Sequence, residues 1–339
     1  MKNTLLSLVF VVSLVIIGAY GYFIFKGDDS SSSAPQGHFV VGALNVGASL
    51  EPAWTGFKKG MEDLGYLEGK NIEFRYQTNI QGDDREYADL SKVLLQDGVH
   101  LLVGFGVGAA KGAKIAADEL DSDTPILFIN VSDPVGNGLV KSVSAPGGNI
   151  TGINPANDIV SGRRLEIFKE AVPGLKRVFF LYNNPKTSGL DEVRKTANSL
   201  GLTLQEQYIE TAAEIPQYLS SLTVRPGDGI LRGTDQIIAA GLPGIIKFGI
   251  DQKIPIVDSS SSGVRLGSLV GYGPNFEEVG MQGARLADKI LRGVAHPRAI
   301  PVELPERFEF SLNLQTAEKI GVMFSKNILE RADVIYPAQ

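Results

Sequence analysis

This 339-residue sequence has no cysteine, three histidines and one tryptophan. Without cysteine there is no disulfide, no thiolate metal site, no thiol nucleophile and no lipid-bearing cysteine. His38, His100 and His296 lie far apart in the chain. That spacing argues against a histidine zinc centre and against a Ser-His-Asp triad, so neither a metal nor a catalytic residue is expected. Positive charge is also in short supply. Lysine and arginine number 32 against 38 acids, a formal charge of −6. A nucleic-acid partner needs a basic face to neutralise phosphates, and none is indicated.

What the chain does have is enough length for two domains of ordinary size and a hydrophobic content of 43%. Near the start, Leu5–Phe25 carries no charge. About 20 such residues cross a bilayer at ~1.5 Å per residue, so residues 1–25 are expected to form a single-pass transmembrane anchor. Lys2 precedes the run, while Lys26 is followed by Asp28 and Asp29. This asymmetry puts the body on the extracytoplasmic side of the cell membrane, periplasmic or extracellular. A signal peptide cleaved near Ala19-Tyr20-Gly21 is the alternative. Residues 26–38 follow as a polar, Ser-rich linker.

From Phe39 onward, short apolar runs alternate with segments of helical spacing. "FVVGAL", "NIEFRYQ", "VHLLVGF" and "TPILFIN" read as strands. "PAWTGFKKGMEDLGY", "DREYADLSKVLLQDG" and "GAAKGAKIAADEL" read as the helices between them. After the Gly-, Asn- and Pro-rich "GGNITGINPAND" the alternation restarts and runs through "KIPIVDSS". This pattern predicts an α/β protein with two Rossmann-like lobes, each built on a parallel sheet covered on both faces.

"VGFGVGAAKGA" contains Gly104, Gly106 and Ala109 in G-x-G-x-x-A spacing, the turn that cradles phosphates in dinucleotide folds. There the turn follows the first strand, with an acid ending the second. Here it follows the third, and Asp121 and Asp123 precede the next strand. Two other readings remain: a turn that lets helix and strand pack closely, or exposed N–H groups that hold an anion such as a carboxylate. "NVSDPVGNGLV" starts at a strand's carboxyl end, where open α/β sheets bind ligands, and Asp-Pro in a loop is also ordinary turn chemistry.

Four blocks, "GFKKGMEDLGYLEGKNIEFRYQ", "SDPVGNGLVKSVSAPGGNITGIN", "LEIFKEAVPGLKRVFFLYN" and "FSLNLQTAEKIGVMFSKNILERADVI", resemble the ABC-transporter substrate-binding protein family that includes tryptophan and tyrosine binders. The resemblance runs from about Phe39 to Ile335, and Asp133–Gly152 is its most specific part. It implies a periplasmic-binding-protein-like fold of type I, with two lobes on a three-strand hinge closing over a ligand. By analogy the first lobe comprises residues 39–155 and 274–304, and the second residues 156–273 and 305–335.

Carried over by position, the resemblance implies that Gly106, Val107, Gly108 and Ala109 present N–H groups to an amino-acid carboxylate. Family members carry threonine or serine and then proline in this loop. Its absence here removes a charge-assisted bond of roughly 1.5–3 kcal/mol. Ser132 keeps a hydroxyl where the family has threonine, followed by Asp133. In the second lobe, Thr234 and Asp235 match a Thr-Asp-Asn stretch in which Gln236 replaces the asparagine. Asp235 is the candidate for a ligand ammonium, or else an N-cap for the next helix. Ser259 belongs to a hydroxyl cluster at a strand end. Tyr182 and Asn183 end the second lobe's first strand, on the presumed cleft. Trp54 either stacks on the ligand or belongs to the core, since Trp54, Phe57 and Met61 share a helical face.

The function expected from this reading is the non-catalytic, extracytoplasmic solute-binding component of an ABC importer. It would capture a small organic solute, an aromatic or other amino acid, and deliver it to permease and ATPase subunits without any cofactor. The alternatives are a ligand-sensing ectodomain acting through a membrane signalling partner, or an exported NAD-dependent enzyme. The position of the glycine turn disfavours the enzyme.

Overall fold

The structure, a computed structural model, describes residues 35, 37–78, 82–183 and 189–336. The charge-free stretch Leu5–Phe25, expected to be a membrane helix, lies outside the described residues. Among those described, no helix is long and apolar enough to cross a membrane.

Alternation of strand and helix runs through the first half as β1 (Phe39–Asn45), α1 (Glu51–Asp63), β2 (Ile72–Gln77), α2 (Asp84–Gln96), β3 (Leu101–Phe105), α3 (Val107–Glu119), β4 (Ile126–Ile129) and β5 (Ile150–Ile153). These five strands form one wholly parallel sheet in the order β2-β1-β3-β4-β5. A parallel sheet with helices on both faces must be apolar throughout, and every residue of β3, β4 and β5 is buried. Strand order reverses between β1 and β3, the switch point where such sheets leave a crevice at their carboxyl ends.

The second series is α4 (Asn157–Ala171), β6 (Arg177–Tyr182), α5 (Leu190–Ser199), β7 (Thr203–Tyr208), α6 (Glu214–Ser221), β8 (Asp228–Arg232), α7 (Gln236–Ala240), α8 (Leu242–Asp251), β9 (Ile256–Asp258) and α9 (Ser261–Leu266). It continues with β10 (Val270–Pro274), α10 (Phe276–Leu291), β11 (Phe308–Asn313), α11 (Leu314–Ile320), α12 (Lys326–Arg331) and β12 (Val334–Tyr336). Seven strands form the second sheet, in the order β12-β11-β10-β9-β8-β6-β7, with its own reversal between β6 and β8. Successive residues of β6 serve opposite faces, as strand pleating requires. Val178 and Phe180 join one apolar cluster, Phe179 and Leu181 the other.

α10 returns from the second sheet to the first, and small residues let it approach α1 closely. A Cβ on Gly56 would lie 1.9 Å from the Glu277 carbonyl oxygen, and one on Gly280 2.0 Å from that of Ala53. Val279, Ala284, Leu286 and Ala287 of α10 join the first core with Phe57, Met61, Phe105 and Phe128. Each large apolar side chain buried this way stabilises by ~1.5–3 kcal/mol.

Three segments pass between the sheets. Asn154–Ala156 leaves β5, and its Asn154 amide donates to Glu303 O at 2.9 Å. Ala156 is left-handed there, with φ 60°. Asn275 links β10 to α10, and Glu303–Arg307 leads into β11. The last two segments meet in the antiparallel β10–β11 ladder, where Gly273 pairs with Glu309.

The structure differs from the sequence pattern in three places. The first helix after β5 begins at Asn157, inside the Gly-, Asn- and Pro-rich "GGNITGINPAND". "AAGLPGIIKFGIDQ" forms parts of two helices, broken at Gly241 ahead of Pro243. The ladder strands β10, β11 and β12 lay outside the simple alternation.

Candidate functional site

The glycine-rich turn connects β3 to α3. Gly106 has φ 91° and ψ 167°, a region essentially open only to glycine, and a Cβ there would lie 2.5 Å from Val46 Cγ2. A Cβ on Gly104 would sit 2.8 Å from the Ala110 nitrogen, and one on Gly112 2.3 Å from Tyr87 Cβ. The motif therefore brings α3 down onto β3 and α2. The same turn leaves the first amides of α3 outside the helix's own bonding. Helical bonding begins with Ala110 N donating to Gly106 O at 3.1 Å, and no side chain caps the helix. The N–H groups of Val107, Gly108 and Ala109 precede that bond, at the end of a helix that favours negative charge.

At the end of β4, Ser132 and Asp133 lie in the expected loop, but both have protein partners. Asp133 has φ 45°, and its Oδ1 accepts from Gly136 N at 2.8 Å, which closes the turn. Ser132 Oγ accepts from Asn157 Nδ2 at 3.0 Å, a bond from the first residue of α4. Just before them, Asn130 has φ 62° and a buried Oδ1 with no hydrogen-bond partner.

Trp54 is 6% exposed. Its ring stacks on Tyr76 at 4.2 Å with planes 4° apart, and meets Phe74 and Phe105 edge-on. The structure thus places Trp54 in the first lobe's aromatic core, with Tyr76 over one face. Tyr76 OH in turn donates to Glu51 Oε1 at 2.6 Å, and burial followed by this bond pushes its pKa up to about 12.

In the second lobe, Asn183 and Asp235 are brought together. Asn183 N donates to Asp235 Oδ2 at 3.2 Å, and Asn183 Nδ2 donates to Ile209 O at 2.7 Å. Asp235 holds the N-cap position of α7 without capping it through its side chain. Its carboxylate instead ties the end of β8 to the end of β6, across that sheet's switch point. Thr234 is half-buried beside it. Tyr182 packs on Phe180 and Tyr208, as an extension of the sheet's apolar face.

Ser259 leads to a group of residues that sequence reasoning missed. Its Oγ accepts from Arg232 Nη2 at 2.8 Å. Arg232 and Asp258, at the ends of adjacent strands, form a bidentate pair at 2.8 and 2.9 Å, exposed by 7% and 0%. Burial opposes both charges, but the pairing prevails: the Arg232 pKa is raised and that of Asp258 lowered. Behind them Arg164, on α4, is 1% exposed. Its Nε donates to Tyr272 O at 2.8 Å, and burial lowers its pKa to about 10. One signal was present in the sequence: "GILR" and "IPIVD" are neighbouring strands of one sheet, and they end in opposite charges.

Among the described residues, two side-chain hydrogen bonds link the strand-end regions of the two sheets, apart from those at the crossing segments such as Asn275 Nδ2 to Glu309 Oε2. Besides Asn157–Ser132, Gln236 Nε2 donates to Val46 O, linking the end of β8 to the end of β1. The strand ends of the two sheets therefore face each other. One parallel sheet and one mixed, mostly parallel sheet, three crossing segments and opposed strand ends are the architecture of a two-lobed solute-binding protein.

The comparisons agree with that class. The model of the family described as ABC transporter substrate binding protein matches residues 41–335, and the chain belongs to this family. A tyrosine-binding protein of Clostridioides difficile is 30% identical over 327 residues, covering 92% of each chain. A Streptococcus pneumoniae ABC domain in complex with L-Trp is 25% identical with TM-score 0.78, over 88% of this chain and 99% of its own. A ligand-free, open substrate-binding protein from Clostridium difficile is 27% identical with TM-score 0.66, over the same shares.

Proposed function

We propose that the chain is the solute-binding component of an ABC importer and that its solute is an amino acid, with L-tyrosine and L-tryptophan the first candidates. The strongest support is the pairing of uncapped α3 amides in one lobe with the Asp235 carboxylate in the other. These are the complements of an α-carboxylate and an α-ammonium. The tyrosine-binding relative and the tryptophan complex point to the same chemical class. Binding needs no reaction, because a solute with higher affinity for the shut lobes shifts the population toward them. Micromolar capture takes about 8 kcal/mol, within reach of a few charge-assisted bonds and one desolvated apolar group.

An importer implies permease and ATPase subunits as partners. The charge-free Leu5–Phe25 segment supports an extracytoplasmic body held at the membrane. Calorimetric titration of the protein with the twenty amino acids tests the reading. Saturable heat with an aromatic amino acid is expected, and no heat with any of the twenty would reject an amino-acid solute.

A further inference from the structure

The cluster behind the second lobe's strand ends holds two guanidiniums and one fully buried carboxylate, with the Asp235 carboxylate also acting on Arg232. Arg164 and Arg232 are both buried, with Asp258 the carboxylate between them. Both oxygens of Asp258 are taken by Arg232. Arg164 spends Nε on the Tyr272 carbonyl and reaches Ser161 Oγ with Nη1 at 3.4 Å. Its Nη2 is buried and has no hydrogen-bond partner. A buried guanidinium with an unmet donor is costly unless an acceptor meets it, and a charged acceptor meets it best.

The two strand-end bonds locate this donor relative to the first lobe. One joins the end of β1 to the end of β8, the other the loop after β4 to the start of α4. In the first sheet, β3 lies between β1 and β4, so the uncapped α3 amides fall between those two contacts. In the second lobe, β9 lies next to β8 and ends in Asp258, while Arg164 is seven residues along α4 from Asn157. At 3.6 residues per turn, Asn157, Ser161 and Arg164 share one face of that helix. The amides thus lie between the two contacts on the first-lobe side, and Arg164 lies about two turns along α4 from one of them on the second-lobe side, held beside the crossing strand by its bond to Tyr272 O. A Cβ on Gly273 would sit 1.8 Å from Ser259 O, so the glycine lets the crossing strand pack against the end of β9, and Arg164 Nη2 lies beside that contact.

We infer, building on the amino-acid reading above, that Arg164 is the second-lobe group that receives the solute's carboxylate, through Nη2 and opposite the amides of Val107–Ala109. The site then selects a free α-carboxylate. The lobe-1 amides hold it while the lobes are apart, and Arg164 engages it as they close.

Titrations with L-tyrosine and L-tyrosinamide, in which a neutral amide replaces the carboxylate, provide the test. The wild type is expected to prefer L-tyrosine. Arg164→Gln should weaken L-tyrosine by about tenfold or more, the worth of a hydrogen bond to a charged group, and leave L-tyrosinamide nearly unchanged. Arg164→Lys, which keeps the charge, should recover part of the loss. In wild-type protein labelled with 15N-arginine, the side-chain signal absent from the Arg164→Lys spectrum should shift with L-tyrosine and stay put with L-tyrosinamide. This measurement serves equally if Arg164→Gln does not fold. An unshifted Arg164 signal at saturating L-tyrosine, or a folded Arg164→Gln protein with unchanged preference, overturns the inference alone. A wild type that binds no amino acid overturns the reading beneath it.

Discussion

The two lobes finish their strand ends with different materials. In the first lobe, the groups at the strand ends are backbone amides, neutral side chains and the exposed, turn-closing Asp133, arranged by a left-handed glycine and tight turns. In the second, charges are buried: Arg164, Asp228, Arg232, Asp258 and Glu309 all belong to its elements, whereas the buried polar residues of the first lobe, Asn45, Ser91, Thr151, Asn154 and Gln282, carry none. Backbone amides are fixed by the fold and change little with side-chain substitution. Buried charges depend on a few residues, so ligand selectivity and acid sensitivity should both concentrate in the second lobe.

Breaking the Arg232–Asp258 pair should have the largest effect. Asp258→Ala leaves Arg232 buried without its carboxylate and should destabilise the protein by about 3–5 kcal/mol in denaturant unfolding. Replacing both residues with apolar side chains should recover most of that. Because the folded Asp258 pKa is lowered, the pair's contribution is present above the ordinary aspartate value near 4 and lost as pH falls through the folded value. Stability measured downward from pH 5 should therefore fall less steeply in the double apolar variant than in the wild type.

Asp235→Ala should weaken an amine-bearing solute by about 2–5 kcal/mol, read by calorimetry, if the ammonium is left facing the gap without its carboxylate. Equal affinity in wild type and variant would remove Asp235 from the site. On the first-lobe side, Gly106→Ala forces a side chain into a glycine-only conformation and against Val46. A stability loss of roughly 1–3 kcal/mol is expected in thermal unfolding, with solute affinity reduced because the amides shift. Gln236→Ala should have the smallest effect. Losing its bond to Val46 O should lower affinity by about 0.5–1.5 kcal/mol for every solute alike, since the contact joins lobes and touches no ligand.

The first lobe was the more legible in sequence. Its apolar runs and intervening helices follow simple periodicity, and the glycine spacing located the β3–α3 turn. The reading of that turn as a device for close packing holds in the Gly104 and Gly112 contacts. Trp54 could not be decided from spacing, because an aromatic one turn into a helix faces core or cleft depending on its neighbours. Tyr76, from another strand, supplies that information. Ser132 and Asp133 were located correctly on their loop, but their bonds to Asn157 and Gly136 depend on three-dimensional placement. The charge cluster was the least legible. Arg164, Arg232 and Asp258 are 94 residues apart from first to last, and a lone arginine in a helix usually reads as surface.

A crystal structure grown with L-tyrosine is the most direct measurement. The account predicts the amino acid between the lobes, its carboxylate within hydrogen-bond distance of the first α3 amides and its ammonium turned toward Asp235. Strand ends packed against each other with side chains filling the gap, or tyrosine bound elsewhere on the surface, would contradict it.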